Sequence, residues 1–318
     1  MISAEDFVHL PYPADLSEAG ILHMCRHLPR LGGGAHLTGR SMHRIIAATS
    51  AQLALRRYVG LQGLDYGASA QSIFAPHEAP NARIGRRTWA LKSFLISSQW
   101  QIDALAKEPA LALQAPALVP SDRFVSEELR GDDVLLFSLV NAAVASVGAD
   151  APGSRHHWIY TLPVAWRRPR VWAPLGPLIV KSEAKGPIWL ELGGENGTGD
   201  FGVTKVRLAA GERRMVDPSF HLLSYVHASE RPIGRIGLRS VARRETQLIT
   251  PMDWQDVWLE GKEICLLGWI TREEFAMRAR PVRAGARVFQ FAATKVKNLA
   301  VEVSSLKPIR RLLELSRQ

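Results

Sequence analysis

From about residue 155 to 245 the chain is one short alternating run after another: HHWIYTL, PLIVKS, PIWLELGG, FGVTKVRLAAG, RRMV, HLLSYVHA and RIGLRS. Gly, Pro, Asn and Asp separate the runs, and almost no helical periodicity intervenes. Such a stretch has few options, because regular short strands must pair and bury their inward residues together; it predicts an antiparallel β-sandwich or jelly roll. On either side the texture differs. Helical stripes alternate there with apolar runs such as DVLLFSLV (133–140) and EICLLGWI (263–270), the pattern of a layered α/β core. The expected organisation is therefore an α/β core with an inserted β domain: an N-terminal helical segment (1–38), the first part of the core (39–147), the β-sandwich (148–245) and the second part of the core (246–318).

Composition narrows the partner. Forty Lys+Arg against thirty Asp+Glu give a net charge of +10, a balance that suits a polyanion such as nucleic acid; a merely basic soluble surface is the plainer alternative. The two cysteines, Cys25 and Cys265, have no metal-ligand spacing and lie too far apart to suggest a disulfide scaffold, which fits a reducing cytoplasm. The start, MISAEDF, is acidic where a secretory signal is basic, and no stretch reaches the roughly 18 apolar residues of a membrane span. A soluble cytoplasmic protein is expected.

Local signals place the elements. A helix is predicted over Asp15–His27, ending before the glycines of LGGGAH, which lack the GK[ST] ending of a phosphate loop. A second helix, Ser41–Leu61, carries Ile45, Ala48, Gln52, Leu55 and Val59 on one stripe, with Ser50 and Arg57 opposite. A hairpin follows, Ala82–Ile84 turning at Gly85 into the strand RTWALKSFLIS (87–97), whose alternation puts Ala90 and Lys92 on one face. Next come a helix at Gln99–Lys107, a strand at Ala115–Val119, a helix over Ser121–Arg130, and late in the chain TREEF, in which Thr271 and Glu274 can form a capping box.

This order resembles the PD-(D/E)XK nuclease superfamily, a restriction-endonuclease-like α/β fold. The matching pieces are AQLALRRYV (51–59), APNARIGRRTWALKSF (79–94), DVLLFSLV (133–140) and CLLGWITREEF (265–275), covering 40–145 and 246–318 but not the β region. In that superfamily a helix acid, a hairpin Asp and a following (Asp or Glu)-X-Lys hold Mg²⁺ against the scissile phosphate, while the lysine positions or activates water. Here the helix acid falls on Gln52, the first hairpin acid on Asn81 and the second on Ala90; Lys92 alone remains. An amide offers a metal one uncharged oxygen and alanine offers none.

Three readings stay open. The chain is a nucleic-acid-binding pseudo-nuclease; or an acid at position 90 was removed from a Mg²⁺-dependent endonuclease; or the alignment is off, and Glu78 or Asp65 supplies a ligand. No cofactor is expected for the sequence as it stands, and Mg²⁺ only for an active form. The resemblance implies DNA rather than RNA, a protein partner, and a role in defence against foreign DNA beside a guide-loading protein. A partner-binding scaffold is a further alternative.

Beside the hairpin, Arg83, Arg86 and Arg87 can take phosphate oxygens, and Lys295, Lys297, Arg310 and Arg311 extend that basic face; the plainer reading of each is a solvated surface. Arg167, Arg168 and Arg170 between Trp166 and Trp172 suit either strand stacking or packing between proline-rich segments. His156 and His157 read as strand residues, with no carboxylate or cysteine at ligand spacing, so no metal site is expected.

Overall fold

The computed structural model describes residues 2–30, 37–68, 81–144 and 155–317. Glu78 and the glycines of LGGGAH lie outside these residues. The chain forms two compact units, one from Met1–Gly20, Arg44–Ala143 and Leu259–Gln318, the other from Ile21–His43 and Val144–Trp258. The protein is mixed α/β with several antiparallel sheets.

The first unit is built on a six-stranded mixed sheet, in spatial order Val8–Pro11, Leu259–Thr271, Val134–Val144, Arg87–Ile96, Ala82–Ile84 and Tyr66–Ala68. Its centre is the parallel pair Arg87–Ile96 and Val134–Val144, in which Lys92 stands opposite Phe137 and Ser93 opposite Ser138. Val134–Ala142 is buried at every position, as a strand covered on both faces must be. On one face Leu135, Phe137 and Leu139 join Ala90, Ile102, Leu105, Leu267 and Phe275 in a single apolar cluster. A three-stranded antiparallel sheet, Arg280–Val282, Asn298–Glu302 and Pro116–Pro120, adds Ala117, Val119 and Val301 to that cluster.

The helix Gly39–Leu61 is buried round much of its circumference in its first-unit part. Ser50, expected opposite the apolar stripe, is fully buried: its hydroxyl donates to Leu16 O (2.9 Å) and accepts from the Tyr12 hydroxyl (2.9 Å). A polar side chain can lie inside when both its bonds are made, so the single-stripe reading of this helix underestimates its packing. The Ser121 helix ends at Ser126 rather than Arg130, because Glu127 turns extended and the Asp133 carboxylate collects the Arg130 (2.7 Å) and Thr88 (2.8 Å) amides.

The turn of the hairpin falls on Gly85, whose φ of +60° suits glycine. The late motif closes the unit. Thr271 Oγ1 accepts from the Glu274 amide (3.2 Å), and Glu274 returns the bond to the Thr271 amide (3.3 Å), a capping box at the head of the helix Arg272–Arg278. Lys307 donates to both Glu274 oxygens at 2.6 and 2.7 Å, tying the C-terminal segment to that helix. At Gly268 a Cβ would lie 2.9 Å from Leu306 Cβ and from the Lys307 carbonyl oxygen, so the close approach of the two segments requires glycine.

The second unit has two antiparallel sheets. One orders Phe201–Leu208, Ile188–Glu195, Leu222–Ala228, Trp158–Thr161 and Gln255–Asp256; the other orders Arg213–Val216, Leu178–Ser182, Ile236–Ser240 and Thr246–Ile249. Inward residues of both, among them Leu190, Leu192, Val226, Val180 and Leu238, make one core. GGENGTGDFG is the hairpin connection it reads as, and PIGRIG leads directly into a strand. The WRRP arginines do not form a stacking surface. Trp166 is buried, and Arg167, 1% exposed, donates to Leu162 O (2.7 Å) and Leu28 O (3.1 Å). Arg168 takes Pro29 O (2.6 Å) and Arg30 O, so the pair holds the turn that follows the helix Ala14–His27.

Both cysteines are free and buried. Among the described residues, no helix is long and apolar enough to cross a membrane.

Candidate functional site

Within the first unit a cavity of about 300 Å³ opens between helix, hairpin and sheet. The helix presents Arg44, Ala48, Gln52 and Leu55, spaced so that each stands about one turn beyond the last on a single face. Asn81 enters at the mouth of the hairpin, and Trp89, paired across it with Ala82, forms the adjoining wall. Lys92, Ser93 and Phe94 come from the central strand, Phe291, Thr294 and Lys295 from the segment before the last strand, and Asn298 from the start of that strand.

Three of the four positions singled out by sequence, Gln52, Asn81 and Lys92, line this cavity. Ala90 does not. It is 0% exposed and belongs to the apolar cluster on the sheet, opposite Leu135 of the neighbouring strand. Alternation does set residues 90 and 92 on one face, but that face is sealed by core at 90.

Lys92 is paired with a residue the sequence did not flag, Glu127, and the two side chains are only 11% and 12% exposed. No local signal points to Glu127. It lies 35 residues away, and only the rule that a largely buried ammonium needs a counter-charge asks for such a partner. The lysine is thus held by an acid rather than standing alone at a strand edge.

The walls are fixed by their own contacts. Arg44 sits over the Phe291 ring, 5.1 Å from its centroid, and Phe291 meets Phe94 edge-on at 6.1 Å. Thr294 Oγ1 donates to Arg283 O (2.7 Å), and Asn298 Nδ2 donates to Val296 O (2.7 Å). Ser138 and Ser93 share a hydroxyl bond of 2.9 Å beneath the strand. Burial raises the Tyr66 pKa, opposed by the neighbouring Gln52 side chain and the charge of Arg56, so this phenol is neutral at physiological pH. The Trp89 indole N–H is buried and meets no acceptor among the described residues.

Chemically the lining combines cations (Arg44, Lys92, Lys295), amides (Gln52, Asn81, Asn298) and aromatic rings, and among the described residues no carboxylate. That donor set does not fit Mg²⁺, a hard cation bound in such sites through carboxylate oxygens. Nor does any group of three or more His, Cys, Asp or Glu among the described residues have the geometry of a metal site. Asp65 is not part of the lining.

The other basic candidates lie elsewhere. Arg83, Arg86, Lys297, Arg310 and Arg311 are exposed and Arg87 is half-buried, but none of them lines the cavity; of the predicted set only Lys295 does. In the second unit His156 Nδ1 lies 2.6 Å from Asp256 Oδ2, a pairing across 100 residues that ligand spacing cannot reveal. His157 stacks between His227 (5.1 Å) and Trp258 (5.4 Å).

Neither a protein-family model nor a curated protein matches this sequence.

Proposed function

We propose that the chain is a nucleic-acid-binding protein on a PD-(D/E)XK nuclease-like core whose metal-holding acids have been lost, binding DNA in preference to RNA. The observation that supports this reading is the convergence of Gln52, Asn81 and Lys92, from helix, hairpin and strand, on one cavity that also carries Arg44 and Lys295 and no carboxylate. A site so lined attracts phosphate and has nothing to hold a catalytic cation. A protein partner, of the kind that loads a guide in defence against foreign DNA, belongs to the same proposal and rests on the resemblance alone.

The test is a salt titration. Affinity of the full chain for single- and double-stranded DNA is expected to fall steeply and linearly on a log–log plot, as release of counterions from phosphate requires. No binding at low salt would overturn the proposal in favour of a partner-binding scaffold. Plasmid nicking with Mg²⁺ is expected to be absent; cleavage abolished by Lys92→Ala would establish an active endonuclease instead. Ala90→Asp is the converse arm. A carboxylate placed in that apolar cluster is expected to destabilise the fold by roughly 3 kcal/mol without conferring cleavage, so a stable variant with new nicking activity would point to an acid recently removed.

A further inference from the structure

We propose that the cavity seats a single nucleotide, base inward and phosphate at the mouth; for a nucleotide belonging to a strand, this rests on the nucleic-acid reading above. Four observations carry it. The volume, about 300 Å³, is at the small end of ligand pockets and suits one nucleotide rather than several. The exposed ammonium of Lys295, on a lining that also carries Arg44 and Lys92, suits an anionic ligand.

The inner wall then says what the anion is attached to. Phe94 and Phe291, both half-buried, offer ring surface on which any base can stack, with the buried Trp89 behind them. Gln52 and Asn81 bring amides, which donate and accept from one planar group and so match the edge of a nucleobase better than that of a sugar phosphate. The fourth observation is the Trp89 N–H. A buried donor without an acceptor among the described residues is rare in a folded protein, and a ring nitrogen or carbonyl of a base would satisfy it once the entering base displaces the wall that seals it. Exposure is graded in the same sense, with Trp89 buried, Gln52 and Asn81 half-buried and Lys295 exposed. A base drawn from a strand must leave its stack to enter such a pocket, an expense smallest for single-stranded or mismatched DNA.

The experiment has two arms on the full chain. Calorimetry with the four deoxynucleoside monophosphates, their nucleosides and inorganic phosphate is expected to show the monophosphates binding most tightly; Gln52→Leu and Lys295→Ala are each expected to weaken them by about tenfold, with Lys107→Ala, exposed and outside the lining, as an unaffected control. In the second arm 2-aminopurine within single-stranded DNA reports an unstacked base. Its fluorescence is expected to shift on binding, as the base exchanges its neighbours in the strand for the aromatic wall, and to return as a monophosphate competes.

Monophosphate binding without strand binding would uphold the pocket with a free nucleotide as ligand and remove the nucleic-acid reading. Salt-dependent strand binding with neither monophosphate binding nor an aminopurine response would remove the pocket and leave that reading standing. Inorganic phosphate binding as tightly as the monophosphates would overturn the base-binding wall, and failure of both arms would remove both.

Discussion

The two units carry positive charge in different ways. In the second, arginines hold backbone: Arg167 and Arg168 hold the turn after a helix, and Arg243 reaches Ala173 O (3.0 Å) and His221 O (2.6 Å). Others there meet acids, as Arg235 does with Glu183 (2.7 Å), Arg214 with Glu212 (2.9 Å) and Lys205 with Glu191 (3.3 Å). In the first unit Lys92 is held by Glu127 and Lys307 by Glu274, while the exposed Lys295 lines a cavity with no carboxylate among its described residues. A net charge of +10 is therefore a poor map of where a polyanion binds. What matters is whether a guanidinium or ammonium is already committed to the fold.

Substitutions can separate the two uses. Arg167→Ala should have the largest effect, about 4 kcal/mol of stability by urea denaturation, since it strips two carbonyls of a charged donor and removes a fully buried stem. Affinity for DNA, measured on the folded fraction, should not change; a fall would show that the second unit's arginines do bind. Glu127→Gln should be milder, about 3 kcal/mol, because it removes the counter-charge of a largely buried ammonium. It should also tighten DNA binding, as one negative charge leaves the neighbourhood of the cavity. Loss of both stability and affinity would mean that the ion pair shapes the site rather than opposing it. Lys295→Ala completes the series: the residue is exposed, so stability should shift by less than about 0.5 kcal/mol. The salt slope for DNA should drop by about one counterion, and an unchanged slope would remove Lys295 from the interface.

The same contrast explains which parts of the protein were legible in the sequence. Signals that act over one turn or one strand were readable: the apolar run at 133–140, Gly85 between two short strands, and the pairing of Thr271 with Glu274 at a helix start. The short alternating runs of the second unit were readable for the same reason, since period two reports one buried face. What stayed hidden depends on partners far along the chain. Lys92 needed Glu127, His156 needed Asp256, and the WRRP arginines needed the carbonyls of residues 28–30. Ala90 shows the limit of alternation. Period two tells which residues share a face, but not where along the strand core gives way to cavity.

A last expected effect concerns acid. In the second unit burial lowers the pKa of His23 to about 4, with help from the charges of His27 and Arg26; burial also lowers His43 and His227, against the pull of Asp256 and Glu191. The unfolded chain takes up these protons near pH 6.5 and the folded unit resists them, so stability falls as pH drops from about 6.5 towards 4. Glu195 works the other way: burial raises its carboxyl above the usual range against Arg30 and His27, which returns a part of that stability as it protonates. In the first unit burial pushes the Glu274 carboxyl up, but the bonds from Lys307 and Thr271 outweigh this and hold it below its ordinary 4.5. Its contribution is complete above that value and is lost only as pH falls through the lowered one. Hydrogen exchange corrected for intrinsic rates should therefore show Trp158–Thr161 and Leu222–Ala228 losing protection between pH 6.5 and 4.5, while Leu259–Thr271 keeps its own until more acid conditions. His23→Gln should flatten the first of these transitions. If Leu259–Thr271 opens first, or all three segments open together, neutral histidines are not what distinguishes the second unit.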